Sequence, residues 1–272
     1  MVDTIRNRRC QSPSATAGFT LIELLAGMAV LSVLIVLMAQ FVNVGTDAWE
    51  HGMRQSETST SARAALDYIA AELSTAIASD HVTFRHVDKV TETYYTDLDE
   101  YGDQLMFVSV SKKPDFSRPA RAGMEVVFFL RNMKNTGGSS MVNRYELVRS
   151  FRASTNSQFK AYRYANGNGP DWTNGWNPSS QTHTVAENIS AFQVWVYPDV
   201  QSNAQPDFHS GSNSNSLPVW ADIYLETLSD TDAQRAALIS DDSDREEFVR
   251  KWSRGYATRV HFKNRKGYNR SS

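Results

Sequence analysis

Cysteine is nearly absent from this sequence: Cys10 is the only one among 272 residues. A single cysteine excludes an intramolecular disulfide framework and a cysteine-rich metal site. An excess of one charge is also lacking, because 28 Lys and Arg residues stand against 30 Asp and Glu residues. A net charge of −2 is not that of a protein that coats nucleic acid. The 41% of hydrophobic residues is typical of a globular protein and excludes wholesale disorder.

The motifs of common enzyme classes are missing as well. The sequence contains no Gly-x-Ser-x-Gly, P-loop or GxGxxG pattern, so hydrolase and nucleotide-binding functions lack support. None of the six histidines stands at the HExxH spacing or at another zinc-ligand spacing. His81 and His86 flank a predicted strand and should face opposite sides of it. We therefore expect no catalysis, no cofactor and no metal site.

An acidic cluster at Asp241–Asp244, close to Asp230 and Asp232, leaves two interpretations open. Carboxylates at helix starts complement the helix dipole, and Ser243 with Glu246 predicts a capping box. A calcium site is the alternative. The EF-hand pattern, with Gly at loop position 6 and Glu at position 12, is not present.

Proline is absent between Pro13 and Pro114, which leaves room for a long helix over residues 19–79. In the first part of this stretch, Phe19–Gly45, the only charged residue is Glu23. A helix of these 27 residues is about 40 Å long, enough to cross a hydrocarbon core of about 30 Å. The segment is therefore predicted to span a membrane.

Charged residues flank this apolar segment unequally. Arg6, Arg8 and Arg9 precede it, whereas Asp47 and Glu50 follow it. The positive-inside rule then places the N-terminus in the cytoplasm and the rest of the chain across the membrane. A cleaved secretory signal is the simpler alternative. However, the apolar stretch is longer than the usual ~7–15 residues and no Ala-x-Ala pattern follows it.

Glu23 needs its own explanation, because a carboxylate in an apolar membrane helix costs a few kcal/mol. One interpretation is that Glu23 lies near the interface and reaches water. The other is a dedicated cationic partner, which no Lys or Arg of the segment supplies. A cut just before Phe19 would create a new α-amino group. The amine of a neighbouring subunit could then neutralise Glu23 inside an apolar bundle.

The segment Gly18–Leu25, GFTLIELL, resembles the class III signal of type IV pilin-like proteins. That signal is a short basic leader ending in Gly, then Phe, then Glu as fifth residue of the mature chain, then an apolar run. The resemblance implies that a prepilin peptidase cuts between Gly18 and Phe19 and N-methylates Phe19. It also implies that Glu23 pairs with the Phe19 amine of an adjacent subunit during assembly. The implied partners are the peptidase, other pilin or pseudopilin subunits and the inner-membrane assembly platform; we expect no nucleic-acid or small-molecule partner.

The chain is predicted to have four parts: a leader over residues 1–18, a membrane or filament-core helix over 19–45, an amphipathic helix over 46–79 and a β-rich head over 80–272. The polar stretch Gln55–Ser61 leaves a weak helix or a melted hinge open. After it, apolar residues at spacings of 3 and 4 predict one buried helix face: Leu66, Ile69, Leu73 and Ile77.

Beyond residue 80 the pattern predicts strands, bounded by Gly, Asn, Pro or Ser. The predicted strands are Val82–Val87, Gln104–Val110, Met124–Arg131, Arg144–Arg152, Phe159–Tyr164, Ile189–Tyr197, Val219–Glu226 and Ala257–Lys263. Two short helices are predicted at Thr231–Ile239 and Asp244–Ser253. The fold class is therefore α+β and pilin-like, with the long N-terminal helix packed against an antiparallel sheet.

The head has two weaker family resemblances. The segments Gly102–Phe107, Ile189–Pro198 and Leu217–Trp220 resemble the order found in J-type minor pseudopilins of type II secretion. The closing stretch Arg259–Phe262 with Lys263–Tyr268 resembles the uncharacterised Verru_Chthon cassette protein C set. The first resemblance implies a head near the tip of a filament.

Trp172 and Trp176 lie in a loop rich in Gly, Asn and Pro and have two interpretations. They could form a binding surface for a sugar, a surface polymer or another subunit. Alternatively, both indoles could pin the loop to the sheet.

The sequence as a whole predicts a non-enzymatic minor pseudopilin or pilin-like subunit that enters a type II secretion pseudopilus or a type IV-like filament. It would be a single-pass protein of the bacterial inner membrane, with a cytoplasmic N-terminus and a head in the periplasm or on an extracellular filament. Two alternatives stay open. One is a minor pilin whose head binds a surface, a sugar or DNA, and the other is an anchored head that never polymerises.

The mass of the mature protein tests the processing site. Removal of the 18-residue leader from the 272-residue chain leaves 254 residues that begin at N-methyl-Phe19. We expect intact-mass and N-terminal measurements on protein from its native envelope to find this species. A chain that begins at Met1, or at another residue, would contradict the predicted cut.

Overall fold

The computed structural model describes residues 20–79, 82–88, 102–110, 123–134, 140–154, 156–161, 172–173, 176, 181–205, 207–213 and 215–265. The helices are α1 (Leu21–Leu73), α2 (Asp230–Leu238) and α3 (Asp242–Trp252), with a 3₁₀ turn at Ser210–Ser212. The strands are β1 (Ala76–Ile77), β2 (Arg85–Val87), β3 (Gln104–Val110), β4 (Gly123–Lys134), β5 (Ser140–Ala153), β6 (Thr182–Tyr197), β7 (Phe208–His209), β8 (Trp220–Thr227) and β9 (Arg254–His261).

All nine of these strands belong to one sheet, in the order β7-β2-β3-β4-β5-β6-β8-β9, with β1 paired to β3. Every strand pair is antiparallel. A long N-terminal helix and an antiparallel sheet confirm the predicted α+β class. The chain divides into two compact units, Met1–Met53 and Arg54–Ser272, and the second unit is called the head below.

Helix α1 is unbroken from Leu21 to Leu73, and it includes the polar stretch Gln55–Ser61. Serine and threonine compete for backbone hydrogen bonds and therefore weaken helices. Here Thr58 and Thr60 donate their hydroxyls to the carbonyls of Arg54 and Ser56, four residues earlier, at 2.9 and 2.8 Å. These bonds satisfy the hydroxyls without interrupting the helix, which is continuous through this stretch and has no melted hinge there.

One face of α1 forms the centre of the head's main core. Leu66, Ile69 and Leu73 are fully buried there, as their spacing predicted, together with Ala62 and Ala65. The sheet contributes the inward-facing apolar residues of β3 to β9 to the same cluster. The fourth predicted residue, Ile77, is not on the helix. The helix ends at Leu73, and Ile77 belongs to β1.

The sheet curls so strongly that β3 meets β6, although two strands separate them in the sheet order. Gly102, just before β3, bridges Phe192 of β6, and the amide of Asp103 donates to the Phe192 carbonyl at 3.0 Å. The buried Asp103 carboxylate accepts from the Val194 amide at 2.6 Å and pairs with His86 Nε2 at 3.1 Å. A side chain at residue 102 would stand 2.7 Å from Leu130 Cδ1, so glycine permits the close approach.

The predicted strand at Phe159–Tyr164 is wrong over residues 159–161, and its remainder lies outside the described residues. The amides of Lys160 and Ala161 both donate to Glu125 Oε1, each at 2.6 Å. A buried carboxylate thus takes the hydrogen bonds that a neighbouring strand would have taken.

Other element boundaries also differ from the predictions. Strand β3 is confirmed over Gln104–Val110, but β6 begins at Thr182 and not at Ile189, because its polar first half pairs with β5. The first predicted strand keeps only Arg85–Val87. Helix α3 is capped by Asp241, whose Oδ1 accepts from the Asp244 amide at 3.0 Å. The acidic cluster therefore does cap a helix, but the predicted box at Ser243 is not the cap.

Replacing Asp103 with alanine tests the link between β3 and β6. We expect Asp103→Ala to lower the free energy of unfolding by about 3 kcal/mol, because the Val194 amide and the His86 ring would remain buried without their acceptor. Urea denaturation of the full chain in detergent measures this. The control is Asp67→Ala on the exposed side of α1, expected to change stability by less than about 0.5 kcal/mol. Equal effects of the two substitutions would contradict the assignment.

Candidate functional site

The start of α1 presents a reciprocal pair of hydrogen-bonding residues. Glu23 Oε2 accepts from the Thr20 amide at 3.0 Å and from Thr20 Oγ1 at 2.9 Å. In return, the Glu23 amide donates to Thr20 Oγ1 at 3.4 Å. This is a capping box, in which the first and fourth residues satisfy backbone donors that a helix start leaves free. The predicted cleavage residues Gly18 and Phe19 lie outside the described residues.

Thr20 is a residue that our sequence analysis missed. The sequence does contain a pattern that predicts its role, because Thr20-Leu-Ile-Glu23 has the spacing of a capping box directly before an apolar run. Both bonds that the box gives the carboxylate fall on Oε2. In the described part of the chain, Oε1 thus keeps its full capacity to accept from a donor outside the box.

Helix α1 continues from this box with apolar side chains on all sides. The residues from Leu21 to Val44 are exposed along the whole segment, including Leu21, Met38 and Phe41 at more than two thirds of their surface. A helix that is apolar all round belongs in a membrane or in a bundle of helices, since water cannot solvate it. Among the described residues, α1 is the one helix long and apolar enough to cross a membrane.

Residues 13–39 match the family model of the prokaryotic N-terminal methylation motif. The chain has a prepilin-type N-terminus. The match covers the predicted cleavage residues, the capping box and most of the apolar segment. This motif is found in structural subunits and implies processing by prepilin peptidase and assembly with other pilin subunits. Together with the apolar helix, it indicates a chain anchored in a membrane by a single span.

The family match ends at residue 39 and does not reach the head. No curated protein and no solved structure matches this chain. The properties of the head therefore rest on its own residues.

Trp172 and Trp176 are both buried, each with about 2% of its surface exposed. They lie in a second hydrophobic cluster on the outer face of β3, β4 and β5, beside Val127 and Phe129. Their rings meet edge to face at 5.6 Å, and Trp172 Nε1 donates to the Thr83 carbonyl at 3.1 Å. This placement favours the interpretation that both indoles pin the loop to the sheet over that of a contact surface.

A charged pair sits next to these indoles. The Arg152 guanidinium lies 3.8 Å from the centre of the Trp176 ring, and its Nη1 is 3.8 Å from Glu125 Oε2. Arg152 also donates to the Gln158 carbonyl at 3.5 Å. Burial raises the pKa of Glu125, while the Lys160 and Ala161 amides and the Arg152 charge oppose that shift. The carboxylate therefore anchors the segment 156–161 from inside the protein.

No metal site emerges from the described part of the chain. There, no group of three or more His, Cys, Asp or Glu side chains is placed to hold a metal ion. Asp241 caps α3, and Asp242 pairs with Arg245 at 2.6 Å. Asp232 accepts from Ser229, the N-cap of α2.

The buried carboxylate gives the head a pH-dependent stability. Because the pKa of Glu125 is raised in the folded state, that state binds a proton more tightly than the unfolded chain does. The stabilisation is complete below the usual glutamate pKa and is lost as the pH rises towards the raised value. We expect Glu125→Gln to flatten this part of the stability curve, measured by urea denaturation from pH 4 to 8. Glu57→Gln, at an exposed position, should leave the slope unchanged, and an unchanged slope in Glu125→Gln would contradict the assignment.

Proposed function

We propose that this protein is a minor pilin-like subunit that enters a type II secretion pseudopilus or a type IV-like filament after prepilin-peptidase processing. The capping box of Thr20 and Glu23 at the start of an all-round apolar helix carries the proposal. The match of residues 13–39 to the methylation motif supports it.

Cleavage between Gly18 and Phe19 would place a new amine directly before the capping box. In one chain, Thr20 already holds Glu23 Oε2. The second oxygen would accept from the Phe19 amine of a neighbouring subunit, so that neither charge remains unpaired among apolar helices. Thr20 would thus orient the Glu23 carboxylate, and Glu23 would bind the Phe19 amine of the neighbouring subunit.

The orientation follows from the charges that flank the helix. Arg6, Arg8 and Arg9 would keep the leader in the cytoplasm of a bacterial cell, where the peptidase would cut it. The head would then lie in the periplasm or on an extracellular filament. Its size supports a minor role, because a bulky head would crowd a helical array. We propose no enzymatic activity for it.

Replacing Glu23 tests assembly separately from processing. We expect Glu23→Ala to be cut normally yet to enter sheared filaments at least about tenfold less, since an unpaired amine among apolar helices costs a few kcal/mol. Glu50→Ala is the control, because Glu50 lies in the same helix beyond the apolar segment. Quantitative blots of the filament and membrane fractions measure the effect.

A filament fraction of Glu23→Ala equal to that of the unchanged protein would overturn the assembly role proposed for Glu23. Absence of the unchanged protein itself from the filament fraction would overturn the proposed function and favour an anchored head that never polymerises. The conservative variant Thr20→Ser keeps the hydroxyl of the capping box and should assemble. Thr20→Val removes the hydroxyl and should assemble less.

A further inference from the structure

The two outer regions of the head's sheet differ in chemistry. On β3, β4 and β5 the outer face holds an apolar cluster that lies under the two buried indoles. On β6, β8 and β9 the inward residues include the buried Val194, Val196 and Ile223, while several of the outward residues between them are aromatic or charged. We name six of these outward residues the aromatic strip: Trp195, Tyr197, Trp220, Asp222, Tyr224 and Arg259.

Neighbouring strands bring the members of the strip side by side. Tyr197 stands opposite Trp220, and their rings stack at 5.1 Å with 27° between the planes. Trp195 lies 6.2 Å from Tyr224 and is 39% exposed. At a rise of about 3.3 Å per residue, Trp220 and Tyr224 are about 13 Å apart along β8. The strip is therefore long enough for a short polymer segment.

The Tyr224 side chain extends over β9 at Gly255, which has no side chain of its own. A Cβ built on Gly255 would stand 2.7 Å from Tyr224 Cε2 and 2.8 Å from Cζ. The end of the Tyr224 side chain thus occupies the place that a side chain at residue 255 would take. Contact with a neighbouring strand restricts the ring, and an ordered aromatic ring can stack on an apolar ligand face.

Asp222 and Arg259 cancel each other's charge within the strip, and Glu226 lies beyond Tyr224 on the same face of β8. Asp222 and Arg259 form a bidentate pair at 2.6 and 2.7 Å in the middle of it, and the Arg259 guanidinium lies 5.3 Å from the Trp220 ring. Burial, and then the Glu226 charge, raise the pKa of Tyr224, and a tyrosine hydroxyl is a neutral donor at physiological pH even without this shift. A charged ligand would have to compete with an ion pair that is already satisfied.

We propose that the aromatic strip binds a neutral polysaccharide. Sugar rings present apolar C–H faces that stack on aromatic rings, and their hydroxyls bond to charged or phenolic groups at the edge. Tyr224 and Trp195 supply the stacking faces, while Asp222 and Arg259 supply hydrogen bonds. A protein partner fits less well, because the centre of a protein interface is depleted of charged residues, and here an ion pair occupies the centre.

This site is separate from the filament proposal, because the strip belongs to the head and uses none of the residues of the capping box. It also differs from the surface predicted at Trp172 and Trp176, which are buried. A saccharide contact is thus assigned to a different part of the head.

Retention on insoluble glycans tests the proposal. The full chain, held in a detergent without a sugar headgroup, is incubated with cellulose, chitin, mannan and a β-1,3-glucan, and with charged alginate for comparison. We expect retention on at least one neutral glycan and none on alginate. Trp195→Ala and Tyr224→Ala should each weaken binding about tenfold, equivalent to about 1.4 kcal/mol. Gly255→Ala should weaken it too, because the new Cβ would lift the Tyr224 ring.

Trp252→Ala is the matched control, since Trp252 is 38% exposed but lies on α3, outside the strip. It should bind as the unchanged protein does. Tyr224→Phe keeps the stacking ring and should retain most of the binding, which separates stacking from misfolding. Three results would overturn the proposal: no retention on any of the neutral glycans, equal loss in Trp252→Ala, or self-association of the unchanged chain that Trp195→Ala abolishes. The last result would assign the strip to a second copy of the chain.

Discussion

Helix α1 is apolar on all sides from Leu21 to Val44, but from Ala62 to Leu73 it is apolar on one side only. Water can solvate neither pattern, and each pattern therefore requires a different partner. The one-sided half obtains it from the concave face of the sheet, where Ile69 and Leu73 are fully buried. The all-round half needs a membrane or other helices, and the polar groups at its start have to be satisfied by each other.

Buried polar groups determine the shape of the head as much as its apolar core does. Asp103 holds β3 to β6 through one amide and one imidazole, and Glu125 holds the segment 156–161 through two amides. Each carboxylate replaces backbone pairing that the strands do not provide at that point. The sheet can therefore curl while the Val194, Lys160 and Ala161 amides keep an acceptor.

The two proposed functions belong to different parts of the molecule, the start of α1 and the head. The assembly residues proposed here belong to the first turns of α1, where the apolar surface demands a paired charge. The proposed saccharide contact belongs to the outer face of β6, β8 and β9. There, Gly255 leaves room for the Tyr224 side chain over β9, and Trp195 is 39% exposed. A subunit of this kind would combine an N-terminal anchor that matches a known motif with a head whose binding site is particular to this chain.

Much of this architecture was predictable from local pattern. The bounds of β3, the buried helix residues Leu66 and Ile69, and the prepilin-type segment all depend on neighbours in sequence, and the family match agrees with the last of these. The role of Glu23 in assembly stays a prediction, since it concerns a second subunit. Thr20 could also have been predicted, because a capping box is a local spacing rule.

Other features depend on contacts that are remote in the chain. The first half of β6 is polar and is a strand only because β5 pairs with it. Residues 159–161 have the pattern of a strand, but the amides of Lys160 and Ala161 donate to Glu125 instead of to a neighbouring strand. A loop of Gly, Asn and Pro around Trp172 and Trp176 allowed the interpretation of an exposed binding surface, yet both residues are buried on the sheet. The sequence by itself determined the anchor, the helix and most of the strands, because propensity and periodicity act over a few residues. Only the tertiary structure decided which aromatic residues are covered and which face outward, because that depends on which strands lie side by side.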